Sequence, residues 1–255
     1  MSDLLCACHL GPTPYREGLA LQEALVRLRA GVRDGAPPLA DAPACDWLLF
    51  PDHPPVLTVG RGGSEESLRV DRATLERLGI ELFEVARGGD VTWHGPGQLV
   101  GYPIVDLDRR GRDLHRFLRD LEEALMLALE GWGIPVQRVP GRTGVWAGGE
   151  KIASIGIAVR RWVSYHGFAL NVLPDLAFFE LIHPCGLRGI HMTSVAARRG
   201  TAAPSLDEAR RKVAATLAGR LGHREVRWVQ ADEVRSLAAR IETITAARTL
   251  EPHAA

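Results

Sequence analysis

The sequence predicts an α+β fold: a mixed, largely antiparallel β-sheet flanked by helices. Three observations lead there. Segments of helical and of strand periodicity are mixed along the chain. Several strand-like segments follow one another directly, which argues against a doubly wound parallel sheet. Residues 151–160 and 162–172 form two apolar runs in immediate succession, the pattern of an antiparallel hairpin.

The elements follow in order. Residues 14–30 carry Leu19, Leu21, Leu25, Val26 and Leu28 as an apolar stripe among Arg and Glu, a helix that packs on a sheet. Residues 31–45 are rich in Pro, Gly, Ala and Asp and read as a loop. Trp47 to Phe50 and Val56 to Val59 are strands around a Pro-rich turn. A short helix over 71–78 precedes a strand over 80–85, and 98–107 reads as a buried strand. Residues 113–130 form an amphipathic helix with Asp113 as N-cap and Gly131 and Gly133 at its end. Strand-like pieces at 134–139 and 143–147 lead into the hairpin. A helix over 205–221 and a strand near 225–229 follow, and the Ala- and Arg-rich residues 232–255 read as a helix with a frayed end. No internal repeat or linker breaks the chain. The expected organisation is one domain over 1–230 and a C-terminal extension over 231–255, helical or partly disordered.

The 255 residues fit one large domain, and 46% of them are hydrophobic, enough for a sizeable core. With 31 basic and 31 acidic residues the formal charge is zero, so no global field draws the chain to nucleic acid or to an anionic membrane. No apolar run approaches the ~18 residues of a membrane span. The N-terminus lacks the basic start and long apolar core of a secretory signal. Four cysteines, Cys6, Cys8, Cys45 and Cys185, do not make a disulfide scaffold in a chain of this length. The expected compartment is the cytoplasm, where a thiol stays available for chemistry.

Three segments carry chemical interest. In Arg87-Gly88-Gly89-Asp90-Val91-Thr92-Trp93-His94-Gly95-Pro96-Gly97-Gln98, Gly and Pro supply five of twelve residues. Such a run lets a ligand approach the main chain, with Arg87, Thr92 and His94 as polar contacts. It lacks the Gly-Lys-Ser/Thr ending of a phosphate loop and the glycine spacing of a dinucleotide fingerprint. The bland alternative is a tight connection between strands.

The second segment is Gly148-Gly149-Glu150-Lys151-Ile152-Ala153-Ser154-Ile155-Gly156. Lys151 is one of very few lysines, and it stands where a glycine turn enters an apolar strand. A desolvated lysine there can exchange protons near neutrality; the alternative is an edge-strand lysine in water. In the third segment Cys185 lies between Pro184 and Gly186, in a loop rather than a strand interior. A reactive cysteine needs positive charge or backbone amides beside its thiolate, and His183, Arg188, His191 and the amides around Gly186 are candidates. An inert cysteine and a zinc site of His183, Cys185 and His191 are the alternatives, although no Cys-x-x-Cys pair supports the metal. Cys6 and Cys8 read as incidental.

In order along the chain, these segments together with His166-Gly167-Phe168-Ala169-Leu170-Asn171 and Pro184-Cys185-Gly186-Leu187 resemble the lipoyl(octanoyl) transferase family over roughly residues 12–225. The resemblance implies a fold shared with biotin and lipoate protein ligases. It implies transfer of an octanoyl group from acyl carrier protein to a lysine of lipoyl domains, in 2-oxoacid dehydrogenase complexes and the glycine cleavage H protein. The family's nucleophile falls on Cys185 and its partner lysine on Lys151. Its acyl-binding segments fall on Arg87, Gly88, Gly89, Asp90, Val91, Thr92, Trp93 and His94, on Ser154, Ile155 and Gly156, and on Gly167, Phe168 and Ala169. Trp93 stands where the family usually has Tyr, so an aromatic wall is expected without a hydroxyl. No metal, cofactor or ATP is implied, and the enzyme is expected to be a monomer. The alternatives are an ATP-dependent lipoate or biotin ligase, which activates a free acid as its adenylate, and a non-catalytic acyl- or lipoyl-domain-binding module.

Overall fold

The computed structural model describes residues 3–33, 45–183 and 189–250. In chain order its elements are β1 (Leu4–Pro12), α1 (Tyr15–Arg33), β2 (Asp46–Asp52), β3 (Val56–Val59), α2 (Arg72–Arg77), β4 (Glu81–Glu84), β5 (Val91–His94) and β6 (Gln98–Ile104). Then come α3 (Leu114–Glu130), β7 (Gln137–Val139), β8 (Arg142–Ala147), β9 (Glu150–Arg160), β10 (Val163–Asn171), α4 (Val195–Arg199), α5 (Leu206–Arg220), β11 (Glu225–Trp228) and α6 (Ala231–Leu250). Of the expected loop over 31–45, residues 34–44 lie outside the described residues, as do 251–255 of the C-terminal segment.

Eight strands make the main sheet in the order β11-β1-β2-β6-β10-β9-β8-β7. Only β11-β1 and β1-β2 are parallel, and every pairing from β2 to β7 is antiparallel. A smaller sheet, β4-β3-β5, stands beside it. The expected mixed, largely antiparallel α+β architecture is therefore present.

The helices form where local chemistry favours them. Asp113 caps α3 by accepting from the Arg116 N–H, as expected. Ser205 and Glu208 form a capping box at the start of α5. One face of the main sheet packs Leu99, Phe168 and Leu170 against Phe117 and Leu121 of α3 and Val213 and Leu217 of α5. The other face packs Val100, Tyr102 and Ala169 against Leu21 and Leu25 of α1 and Leu237 and Ile241 of α6. Helix α6 thus buries an apolar stripe beside α1.

Several sequence expectations need correction. Strands β2 and β3, read as neighbours around the Pro-rich turn, belong to different sheets. The strand over 98–107 ends at Ile104, because Leu107 N–H turns aside to the Trp162 carbonyl. The glycine-rich segment contains a strand, β5, paired with β3. Cys6 and Cys8 lie within β1, a buried strand between β11 and β2. Its apolar run is short and contains His9, which weakened its periodicity.

Candidate active site

The cavity of interest lies between the main sheet and the small one. Its floor is the facing pair β9–β10, where Gly156 stands opposite Gly167 and Ser154 opposite Ala169. All four are small, so the floor is a shallow channel. Its roof is the segment Arg87 to Asp90 together with β5. The roof is bolted to the floor by backbone: Gly88 N–H donates to Ile157 O at 2.9 Å. A Cβ at Gly156 would lie 2.7 Å from Gly88 O, so only glycine permits this approach. The Arg87 guanidinium donates to Thr58 O and Thr58 Oγ1 at 2.7 and 2.8 Å, holding the roof to β3. Asp90 accepts from Ser67 Oγ at 3.0 Å. The result is a narrow cavity of about 50 Å³.

Lys151 stands at one end. It is 3% exposed, so the edge-strand alternative is excluded. Its N–H donates to His191 O and its carbonyl accepts from Thr193 N–H, each at 2.9 Å. Its Nζ lies over the Trp146 ring, 5.6 Å from the centroid, a cation–π placement. Strand β8 makes room for it at Gly144, where a Cβ would meet Lys151 Cε at 2.7 Å. Gly144 has φ +130° and its N–H donates to Glu122 Oε1 at 3.0 Å. Glu122 is fully buried on α3, with Arg138 Nε at 2.9 Å balancing its charge. This charged support beneath the lysine has no sequence motif. A glycine inside an apolar strand, Gly144, is the only trace of it.

Cys185, with Pro184, Gly186, Leu187 and Arg188, lies outside the described residues. The described residues on either side of that segment are anchored. His183 N–H donates to Ser67 O at 2.7 Å, and His191 is tied to Lys151. Among the described residues no group of three or more His, Cys, Asp or Glu is arranged to hold a metal ion.

The other end of the cavity is aromatic, with the Arg87 guanidinium close enough to act on its rings. Tyr15, His94, Tyr102 and His166 line it, and His53 stands behind Tyr102. Hydrogen bonds fix their protons. Asn171 Nδ2 donates to Thr193 O at 3.0 Å, so Asn171 Oδ1 accepts from Gln98 Nε2 at 3.0 Å. Gln98 Oε1 is then left to accept from His94 Nδ1–H at 2.8 Å, and the His94 Nε2 lone pair stays unprotonated. His53 Nδ1–H donates to Thr13 O and its Nε2 accepts from the Tyr102 hydroxyl, both at 2.7 Å. Burial is the main cause that holds His53 down at about 4 and His94 and His166 at about 3. Burial raises the Tyr15 hydroxyl to about 12.

Most of the expected substrate-binding residues meet here. Arg87, Gly89, Asp90, Val91, Thr92, His94, Ser154, Ile155, Gly156, Gly167, Phe168 and Ala169 line the cavity with Lys151, and Gly88 lines the pocket that adjoins it. Trp93 does not. Strand alternation turns its ring away from the cavity into the core of the small sheet, stacked on Phe178 at 5.0 Å and edge-on to Phe179. The expected aromatic wall from Trp93 is thus absent from the cavity. Sequence reasoning passed over Tyr15, Tyr102 and His53, which come from three distant segments. Gln98, His166 and Asn171 stand within the quoted motifs, but nothing in their sequence positions assigns them a role.

The chain matches the family model described as lipoyl protein ligase A/B catalytic domain over residues 14–218. It is 50% identical over 205 residues to an octanoyltransferase of Geobacter metallireducens, covering 80% of this chain and 88% of that one. An octanoyltransferase of Geobacter sulfurreducens is 50% identical over 210 residues, covering 82% of each. The fold resembles that of lipoate-protein ligase A solved with ATP, with TM-score 0.69 and 21% identity over 94% of both chains. No helix among the described residues is long and apolar enough to cross a membrane. A buried lysine at one end of a narrow, small-floored cavity, under a glycine-rich roof, thus occurs in a chain that belongs to the lipoyl protein ligase A/B catalytic-domain family, among its octanoyltransferases, and is an acyltransferase.

Proposed function

We propose that this enzyme transfers an octanoyl group from acyl carrier protein to a lysine of a lipoyl domain, through a thioester on Cys185. The acceptors are the lipoyl domains of 2-oxoacid dehydrogenase complexes and the glycine cleavage H protein. The enzyme works in the cytoplasm as a monomer.

The observation that carries the reading is the position of Lys151: buried at the end of the channel and hydrogen-bonded through its backbone to His191, beyond the cysteine segment. A cation there favours the thiolate of Cys185. The thiolate attacks the carrier-bound thioester, an S–C bond forms to the enzyme as the thioester's own S–C bond breaks, and the carrier leaves as its thiol with a proton given by the Lys151 ammonium, which becomes a neutral amine. The acceptor amine then attacks the new thioester, Lys151 takes the amine's proton, and the amide forms as Cys185 is released. Backbone amides of the glycine-rich roof or near Gly186 stabilise the oxyanion in each step. The acyl chain lies over Ser154, Gly156, Gly167 and Ala169. Thioester energy carries over from step to step, so ATP is not required.

The experiment is transfer to an isolated lipoyl domain from octanoyl carrier protein with no nucleotide present. Octanoylated lipoyl domain is the expected product. Transfer that requires ATP and free acid would replace this reading with a ligase, and tight binding without turnover would replace it with a binding module.

A further inference from the structure

His166 sits inside β10 with φ +56°. Three other non-glycine residues among those described have positive φ. Arg161 and Trp162 form the two-residue turn between β9 and β10, where hairpins demand it, and Arg112 stands just before Asp113, the N-cap of α3. His166 alone among them is in a strand, and its ladder to β9 continues unbroken on both sides, through Tyr165↔Ala158 and Gly167↔Gly156. A left-handed residue without the freedom of glycine costs about 1–2 kcal/mol, so something must hold it there.

Two features hold it. The β10–β6 ladder stops at Phe168↔Gly101, and Pro103, two residues further along β6, has no N–H to give. The His166 N–H turns instead to Gln22 Oε1 of α1, a fully buried amide, at 2.7 Å. The consequence concerns side-chain direction. In an extended strand Tyr165 and His166 would point to opposite faces. Here the two rings lie side by side, with centroids 4.8 Å apart, and the Tyr15 hydroxyl of α1 is 3.5 Å from His166 Nδ1. The strained backbone has brought the imidazole onto the channel side of the sheet, where it lines the cavity. It is 2% exposed, and its Nε2 has no hydrogen-bond partner among the described residues.

We propose that His166, backed by Tyr15, closes the far end of the acyl channel and sets the length of chain the enzyme takes. This rests on the acyl-transfer reading above and adds the residue that selects the substrate. His166 stands opposite Ile157, which is six residues along β9 from Lys151, about 20 Å at 3.3 Å per residue. Side chains at both ends occupy part of that interval. An extended eight-carbon chain needs roughly 9 Å, taking ~1.5 Å bonds at ~111°, whereas a sixteen-carbon chain needs roughly 19 Å and does not fit. The stop is polar as well as steric. A methylene pushed against Nε2 would displace any water serving it and leave a buried nitrogen unpaired.

The test is calorimetric binding of free octanoate, decanoate and dodecanoate to the wild type, His166→Gly and His166→Asn, with octanoyl transfer assayed in parallel. Glycine and asparagine both tolerate the left-handed backbone, so either variant keeps the strand while shortening the stop. Affinity in the wild type should peak at octanoate. In His166→Gly the decanoate-to-octanoate ratio should rise about tenfold, from two further buried methylenes, with a smaller rise in His166→Asn. An unchanged ratio in both variants, or equal losses for all three acids, would overturn the proposal. If the ratio moves while the wild type transfers no octanoyl group, the acyl-transfer reading falls and the length gauge stands.

Discussion

The two ends of the channel are built on opposite principles. At the Lys151 end a charge is kept inside the protein. Its ammonium rests on the Trp146 ring, and a buried carboxylate, Glu122, holds the strand at Gly144 that makes room for it. At the His166 end every titratable ring is neutral, and the unusual feature is backbone strain. On the acyl-transfer reading proposed above, the difference separates chemistry from selection. A reacting end needs a group whose charge favours a thiolate and which, once it has given up a proton, can take one. A measuring end needs a rigid, uncharged wall, and a fixed backbone supplies one.

The largest effect expected of a substitution comes from the charged end. Lys151→Ala should lower octanoyl transfer by about 100-fold or more, the usual scale of a lost proton-transfer group. The pH dependence of Cys185 alkylation should also move upward in that variant. An unchanged alkylation profile would break the comparison by removing the lysine's activating role. Next comes its support. In Gly144→Ala the new Cβ meets Ala153 O at 2.5 Å and Lys151 Cε at 2.7 Å, at a φ of +130°. Overpacking of this kind costs on the order of 1–3 kcal/mol, to be read from the denaturant midpoint. Transfer should fall with it because the lysine must move. Full activity in a folded Gly144→Ala would show that the position of Lys151 is not critical.

At the neutral end, Gln22→Leu removes the acceptor of the His166 N–H. A buried donor left unpaired costs roughly 1–3 kcal/mol, and chain-length preference should broaden with little change in octanoyl turnover. The smallest effect near neutral pH is the titration of the three histidines. His53, His94 and His166 have folded values of about 4, 3 and 3, below the ordinary value of 6.5. The unfolded chain therefore binds more protons between those values, and stability rises with pH across that window. It is complete above about 6.5 and is lost as pH falls toward 3. Melting temperature followed from pH 7 to pH 4 should decline steadily. A flat profile would mean that these rings are protonated or solvated in the folded protein.

The same contrast decides what the sequence disclosed. The Lys151 end was legible because it rests on residue identity, a rare lysine after a glycine turn, whereas Cys185 lies outside the described residues. The fold class was legible for a similar reason, since the β9–β10 hairpin and the cap of α3 are local patterns. The neutral end assembles Tyr15, His53, Tyr102 and His166 from four distant stretches, and no spacing rule joins them. His166 was further hidden because strand periodicity assumes alternation, which its left-handed backbone breaks. Trp93 failed in the opposite way. A continuous binding segment was read across β5, whose alternation sends Thr92 and His94 to the cavity and Trp93 to the core. Gly144 could be noticed as a glycine within a strand, but its purpose appears only with Lys151 and Glu122 beside it.

The central claim is that the channel delivers an acyl group to Cys185. The most direct measurement is mass spectrometry of the protein after incubation with octanoyl carrier protein and no acceptor, with the modified peptide located by fragmentation. The account predicts one octanoyl group on the peptide containing Cys185, removed by hydroxylamine and absent from Cys185→Ser. No adduct in the wild type, or an adduct that persists in Cys185→Ser under thioester-cleaving conditions, would contradict it.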